Sequence, residues 1–200
     1  MSPESRWLQP RAAIAVAALV LSLALTQTSP AAEDGVREYI DEITAANITV
    51  SSKILIFARE RTDLAANARD YITLAPVEIN RTGTRKYFWS GYLWSTIDRR
   101  NRQPLLQEGD ELVLLADGRP IPLHGNGKTL KDLGAGEPIT PSPARAATPV
   151  LFPVNPEEIA YVARATEVHI ELLHAGSSES FTLWKGKPAM LAAFAEHVSP

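Results

Sequence analysis

The sequence predicts an α+β fold built on a mainly antiparallel β-sheet or sandwich, with short flanking helices at the N- and C-terminal ends. Two-residue periodicity dominates the middle of the chain, where Gly, Pro, Asn and Asp separate short apolar segments. Helical periodicity is concentrated toward the ends. Few parallel crossovers are therefore expected.

The first 31 residues have the three-part organisation of a secretory signal peptide. Arg6 and Arg11 supply a positive start, residues 12–25 are almost entirely apolar, and residues 29–31 are Ser-Pro-Ala. The apolar run has 14 residues, fewer than the roughly 20 that a membrane-spanning helix needs. We expect cleavage before Ala32 and no stable membrane insertion afterwards. The expected compartment is the periplasm, with the extracellular space as the alternative. An uncleaved membrane anchor is the competing interpretation.

Composition restricts the function classes. Cleavage would leave 169 of the 200 residues, enough for one domain that buries its core without disulfides, and the chain has no cysteine. Loss of Glu4, Arg6 and Arg11 would change the formal charge from −3 to −4. Nucleic-acid binding depends on basic contacts to phosphate, so we expect no nucleic-acid partner. No sequence motif indicates a cofactor.

Three segments make up the predicted mature domain. Residues 32–124 form a β-rich core with an N-terminal helix and an aromatic hairpin. Residues 125–149 are rich in Pro, Gly, Ala and Thr, which predicts a long surface loop or linker. Residues 150–200 follow the order strand, helix, strand, strand, helix and complete the same domain.

The first two predicted elements rest on a change of period. A helix is predicted over residues 36–43, because their apolar positions are spaced i, i+3, i+4 and i+7: Val36, Tyr39, Ile40 and Ile43. From Ile48 the period becomes two, which predicts one long strand over residues 48–58.

An aromatic hairpin is the clearest structural prediction. Residues 71–80 form its first strand, which Pro76 places at a sheet edge or at a bulge. A tight turn with Gly83 leads into residues 85–97. This second strand has two apolar faces, so we expect it to be central and covered on both sides. One face carries Tyr87, Trp89 and Leu93, and the other carries Phe88, Tyr92 and Trp94.

Turn and capping signals define the remaining elements. Asp117-Gly118 predicts a turn between strands 111–116 and 121–123. Asn155 followed by proline and two glutamates predicts a helix start. Residues 168–172 alternate as in a half-buried strand, and a closing helix is predicted after Lys187.

The sequence contains few combinations of residues suited to catalysis. His169, Glu171 and His174 are candidate metal ligands, but the alternation of a strand puts His174 on the opposite face from the other two. A hydrolase that acts on cell-wall or envelope material could use Asp98 with His169 or His174. The sequence has no nucleophile elbow and no phosphate-binding loop. We therefore assign no catalytic residue, metal or cofactor.

Two basic patches are the main candidate binding features. Arg81 and Arg85 lie at one end of the aromatic strand, and Arg99, Arg100 and Arg102 lie beyond the other. Either patch could bind an anion or an acidic partner, although charged strand ends also discourage aggregation. Tyr92 and Trp94 could be exposed stacking platforms or core residues. We expect a non-enzymatic binding or assembly module of the envelope, with an envelope protein or an anionic envelope component as partner. The alternative is the hydrolase.

Overall fold

Ten antiparallel strands form one sheet in the part of the chain that the computed structural model describes, namely residues 35–97, 106, 109–125, 128–174 and 176–199. All of these residues belong to the unit Ala32–Pro200. The predicted cleavage site lies outside them. The strands are β1 (Val36–Ile40), β2 (Asn47–Ser51), β3 (Leu55–Glu60), β4 (Arg69–Arg81), β5 (Thr84–Ser95), β6 (Glu111–Ala116), β7 (Arg119–Leu123), β8 (Thr148–Pro153), β9 (Val168–His174) and β10 (Ser177–Lys185).

The sheet branches at β4. One edge of β4 pairs with β5, which pairs in turn with β8. The other edge pairs first with β3 and then with β2. From β2 the sheet continues to β1, and from β3 it continues through β10, β9 and β6 to β7. Since all of these pairs are antiparallel, the predicted fold class is confirmed.

Two short α-helices accompany the sheet, α1 (Pro156–Arg164) and α2 (Ala192–Val198), together with the 3₁₀ helices Lys131–Leu133 and Pro188–Leu191. Helix α1 begins as predicted, with Pro156 at its first position and the amide of Asn155 donating to Glu158 Oε2 at 3.1 Å. No helix among the described residues has the length and hydropathy needed to cross a bilayer.

The aromatic hairpin is confirmed as β4 and β5. Arg81 lies opposite Thr84 in an unbroken register, and the two residues between them, Thr82 and Gly83, have φ angles of 51° and 86°. Positive φ at both positions defines the two-residue turn whose twist matches that of antiparallel strands. This turn fixes the register of the longest strand pair in the molecule.

The single long strand predicted over residues 48–58 is wrong, because it divides into β2 and β3. Val50 pairs with Val77 and Leu55 pairs with Leu74, so the chain advances five residues here while β4 advances only three. The Ser51 hydroxyl supports this excursion, since it accepts from the Lys53 amide at 3.1 Å. On the edge of β4 that faces β2 and β3, the stretch without a partner contains Pro76, which has no amide hydrogen to donate.

The helix predicted over residues 36–43 is also wrong. The segment begins with strand β1, which pairs with β2 from Val36 opposite Ser51 to Ile40 opposite Asn47. Asp41 then accepts hydrogen bonds from local amides, and such bonds compete with a helix. Ile40 is 69% exposed, so it does not lie on a buried helical stripe.

The apolar side chains form two cores on opposite faces of the sheet. The main core joins one face to α1 and α2 and includes Trp89 and Phe57. The second core lies on the other face around Phe88, beneath a chain segment that we call the roof, residues 128–140. The predicted covering of β5 on both faces is therefore confirmed.

The roof corrects the prediction for residues 125–149. The segment was expected to be a surface loop or linker, yet it contributes buried Leu133, Ala135 and Ile139 to the second core. Because these three are spread among small and polar residues, they do not form a regular helical or strand pattern. The roof is consequently part of the domain's packed structure.

Candidate functional site

A cavity lies between the roof and strands β5 and β8, which contribute residues 90–92 and 149–151. Its volume is about 340 Å³, which is at the lower end of the range for small-molecule sites. Strand β5 supplies the floor with Ser90, Gly91 and Tyr92, and β8 supplies one wall. The apolar part of the lining includes Leu130, Ala135, Pro138, Ile139, Pro149, Val150 and Leu151.

Asp41 holds the roof to the turn that follows β1. Its Oδ1 accepts from the amide of Thr44 at 2.9 Å and from the amide of Ile43 at 3.1 Å. Its Oδ2 accepts from the amide of Gly136 in the roof at 2.7 Å. Burial opposes ionisation, but these bonds and one from the Thr44 hydroxyl outweigh it, so the pKa of the Asp41 carboxyl is lowered.

Two further side chains attach to the same segment. The Arg37 guanidinium donates to the carbonyl oxygen of Ile139 at 2.9 Å, and the Thr44 hydroxyl shares its single proton between Asp41 Oδ1 and the carbonyl oxygen of Gly134. These bonds satisfy backbone acceptors that a loop without regular structure would otherwise leave unpaired. The roof is thus fastened along its length to the β1–β2 region.

Tyr92 connects the floor of the cavity to the end of the roof. Its hydroxyl donates to the carbonyl oxygen of Thr140 at 2.8 Å, and its amide donates to the Thr73 hydroxyl at 2.9 Å. Gly91 permits this arrangement, because a Cβ there would overlap the carbonyl oxygen of Thr73. At Gly91 the backbones of β4 and β5 therefore approach closely.

The proposal of exposed aromatic platforms is not supported at either position. Tyr92 is buried, with 8% of its surface exposed. Trp94 is half-buried and stacks on Tyr71 with ring centroids 4.1 Å apart. Both rings therefore contribute to internal structure, as the core interpretation of the aromatic strand requires.

Charged residues of the cavity lie at its exposed rim. Lys128, Lys131 and Glu137 line the opening, and all three are exposed. Asp132 lies beside them, and hydrogen bonds from Thr129 together with the nearby lysines lower the pKa of its carboxyl. The rim carries both signs of charge, so it does not form a purely basic patch.

The two arginines at the hairpin turn have different surroundings. Arg81 is exposed, and its aliphatic part lies close to Gly134 of the roof. Arg85 is 56% exposed and its Nε lies 3.6 Å from Oε1 of buried Glu78, so its charge is partly compensated. The other predicted contact residues, Arg99, Arg100 and Arg102, lie outside the described residues.

Family models, curated proteins and solved structures give no match. The function of this chain is therefore inferred from the geometry of the chain itself.

The candidate metal ligands do not converge. His169 Nε2 lies 3.9 Å from Glu171 Oε1, whereas His174 Nδ1 is paired with the buried carboxylate of Asp110. Within the described ranges, no three such side chains form a group that could hold a metal ion. Asp98 of the hydrolase hypothesis lies outside those ranges, so that hypothesis gains no supporting contact.

Sequence reasoning missed Asp41, Thr44 and the roof. The Asp-x-x-Thr spacing from Asp41 to Thr44 is a local signal for a turn in which the carboxylate accepts nearby amides. It could have identified the turn after β1. It could not have identified Gly136 as a partner, because that residue is 95 positions away.

Proposed function

We propose that this chain is an exported, non-enzymatic binding module of the cell envelope, and that the roofed cavity holds its ligand. The observation that carries the proposal is a mainly apolar cavity of about 340 Å³ beneath a segment fastened to the rest of the domain. Preformed concave sites of this kind are typical of small-molecule binding.

The organisation of the roof supports binding rather than a purely structural role. A loop that only closed the second core would need its buried apolar side chains, Leu133, Ala135 and Ile139. Here the roof also encloses a volume next to Tyr92 that these side chains do not fill. The space opens to solvent at a rim lined by exposed Lys128, Lys131 and Glu137, so a small molecule can enter it.

Export is supported by the leader pattern of the first 31 residues. We further propose that an envelope protein or an anionic envelope component contacts the basic residues Arg81, Arg85, Arg99, Arg100 and Arg102. Arg81 is the stronger candidate at the hairpin turn, because Glu78 partly compensates Arg85. Replacing Arg99, Arg100 and Arg102 by Ser should weaken partner retention without unfolding the domain.

The proposal is tested by producing the chain with its own leader and measuring its mass in the exported fraction. We expect a chain that starts near Ala32 and, in non-denaturing mass spectrometry, an additional bound small molecule. A full-length chain retained in the cytoplasm would contradict export. A processed chain without added mass, even after incubation with an envelope extract, would contradict ligand binding.

A matched pair of variants locates the bound molecule. Leu130 is half-buried and lines the cavity, so Leu130→Trp should occupy part of the space and remove the added mass. Leu183 is also half-buried but packs against the main core, so Leu183→Trp should retain it. Equal retention by both variants would place the molecule elsewhere.

A further inference from the structure

Two hydroxyl groups at the cavity have no hydrogen-bond partner within the described part of the chain. Ser90 lies on the floor and Thr140 lies at the end of the roof, with 5% and 8% of their surfaces exposed. Both residues line the cavity. In the described part of the chain, neither hydroxyl donates or accepts a hydrogen bond, although the backbone of Thr140 accepts one from Tyr92.

Such hydroxyls point to a polar occupant. A hydroxyl can both donate and accept a hydrogen bond, and one that has no partner in the protein is free to bond a molecule held beside it. The hydroxyls of Ser51 and Thr44, by contrast, are already paired within the protein. Ser90 and Thr140 both line the same cavity, so a bound molecule with a hydroxyl or carbonyl group can hydrogen-bond to their side chains.

The other lining residues indicate the polarity and charge of the rest of the bound molecule. The walls near Ser90 are apolar, with Ile139 from the roof and Leu151 from β8. The charged lining residues are Lys128, Lys131 and Glu137, and all three are exposed at the rim. An ionised group deep in the cavity would lose its hydration without meeting an opposite charge, which is strongly unfavourable.

We propose that the cavity takes an uncharged, mainly apolar small molecule whose hydroxyl or carbonyl group hydrogen-bonds to the side chains of Ser90 and Thr140. This inference rests on the proposed binding function and specifies the ligand class of the same site. The hydroxyls select for a neutral polar group, and the apolar walls bind the body of the molecule.

Three probes of the same shape test the ligand class: 2-naphthol, naphthalene and 2-naphthoate. Each is titrated into the processed protein while backbone amide chemical shifts are recorded. We expect 2-naphthol to shift amides of residues 90–92, 128–140 and 149–151. We also expect it to bind about fivefold more tightly than naphthalene, the value for one added net hydrogen bond. The ionised 2-naphthoate should bind more weakly than both.

Removing the two hydroxyls isolates their contribution. The double variant Ser90→Ala/Thr140→Val should bind naphthalene as the wild type does and lose the preference for 2-naphthol. The control Ser178→Ala/Thr182→Val removes two exposed hydroxyls from β10 and should keep that preference. Thermal unfolding of each variant verifies that it is folded.

The outcomes separate the two levels of the proposal. Failure of all three probes to shift the cavity amides would overturn both the binding site and the ligand class. Binding of naphthalene or 2-naphthoate as tightly as 2-naphthol would leave the site intact and overturn the ligand class. An unchanged preference in the Ser90→Ala/Thr140→Val variant would overturn the roles of these hydroxyls.

Discussion

Replacing Tyr92 by Phe should loosen the attachment between the floor of the cavity and the roof. The substitution keeps the ring and removes only the hydroxyl that donates to the Thr140 carbonyl oxygen at 2.8 Å. The net value of a hydrogen bond is about 1 kcal/mol, and leaving its buried partner unpaired costs about 1–3 kcal/mol. Because Tyr92 is 8% exposed, we expect a loss of about 2 kcal/mol in the free energy of unfolding.

Urea unfolding at constant pH measures this loss, and thermal unfolding provides a second reading. A change of about 2 kcal/mol should lower Tm by roughly 4–8 °C in a domain of this size. In native-state hydrogen exchange, Tyr92→Phe should increase the exchange rates of residues 133–139 over those of the wild type by more than it increases the rates of the main core. That regional difference would show that the roof, rather than the whole sheet, is loosened.

Tyr161→Phe is the matched control. Tyr161 is a half-buried tyrosine of α1 whose ring lies under the Arg119 guanidinium, with no hydrogen bond to its hydroxyl among the described residues. Loss of the Tyr161 hydroxyl should lower the free energy of unfolding by less than about 0.5 kcal/mol, as for a substitution that breaks no specific contact. Equal effects of Tyr92→Phe and Tyr161→Phe would refute the structural role that we assign to the Tyr92 hydroxyl.

Three other perturbations have defined outcomes. Asp70→Asn should lower the free energy of unfolding, measured by urea titration, by about 3–5 kcal/mol. The reason is that Asp70 is fully buried and pairs with the 10%-exposed Arg59 at 2.8 Å. A loss below about 1 kcal/mol, which is typical of a surface pair, would contradict this. Gly91→Ala should lower the free energy of unfolding by about 3 kcal/mol or more in the same assay, because the alanine Cβ would overlap the Thr73 carbonyl. A stable variant with unchanged amide shifts would disprove the close approach. The lowered pKa of Asp41 means that its carboxylate stabilises the roof above about pH 4 and that this contribution is lost as pH falls through the folded pKa. The Asp41 carboxyl NMR shift should titrate with a midpoint below 3.8, the ordinary pKa of an aspartate side chain, and a midpoint above it would refute the role given to these hydrogen bonds.

The elements predicted correctly are those whose determinants are local. Gly83 and its neighbours specify the β4–β5 turn, and Asn155-Pro156 specifies the start of α1. In both cases, residues within a few positions of one another satisfy the backbone or set its dihedral angles. The alternation of Trp89 and Phe88 likewise indicated two buried faces, because side-chain direction in a strand depends only on sequence parity.

The elements predicted incorrectly depend on distant partners. Residues 36–43 match a helical spacing, but pairing with β2 and the turn at Asp41 determine their structure. The roof has no periodic pattern, and its position depends on bonds between Asp41 and Gly136 and between Tyr92 and Thr140. Since these bonds join residues far apart in the chain, no local signal could indicate the cavity.

The central claim, that the cavity beneath the roof is the binding site, is tested most directly by nuclear Overhauser effects from bound 2-naphthol. We predict contacts from its aromatic protons to the methyl groups of Ile139, Val150 and Leu151, which line the cavity. Contacts to other methyl groups instead, such as those of Val113 and Leu115 on β6, would contradict the claim. Absence of any intermolecular contact at saturating probe would contradict it as well.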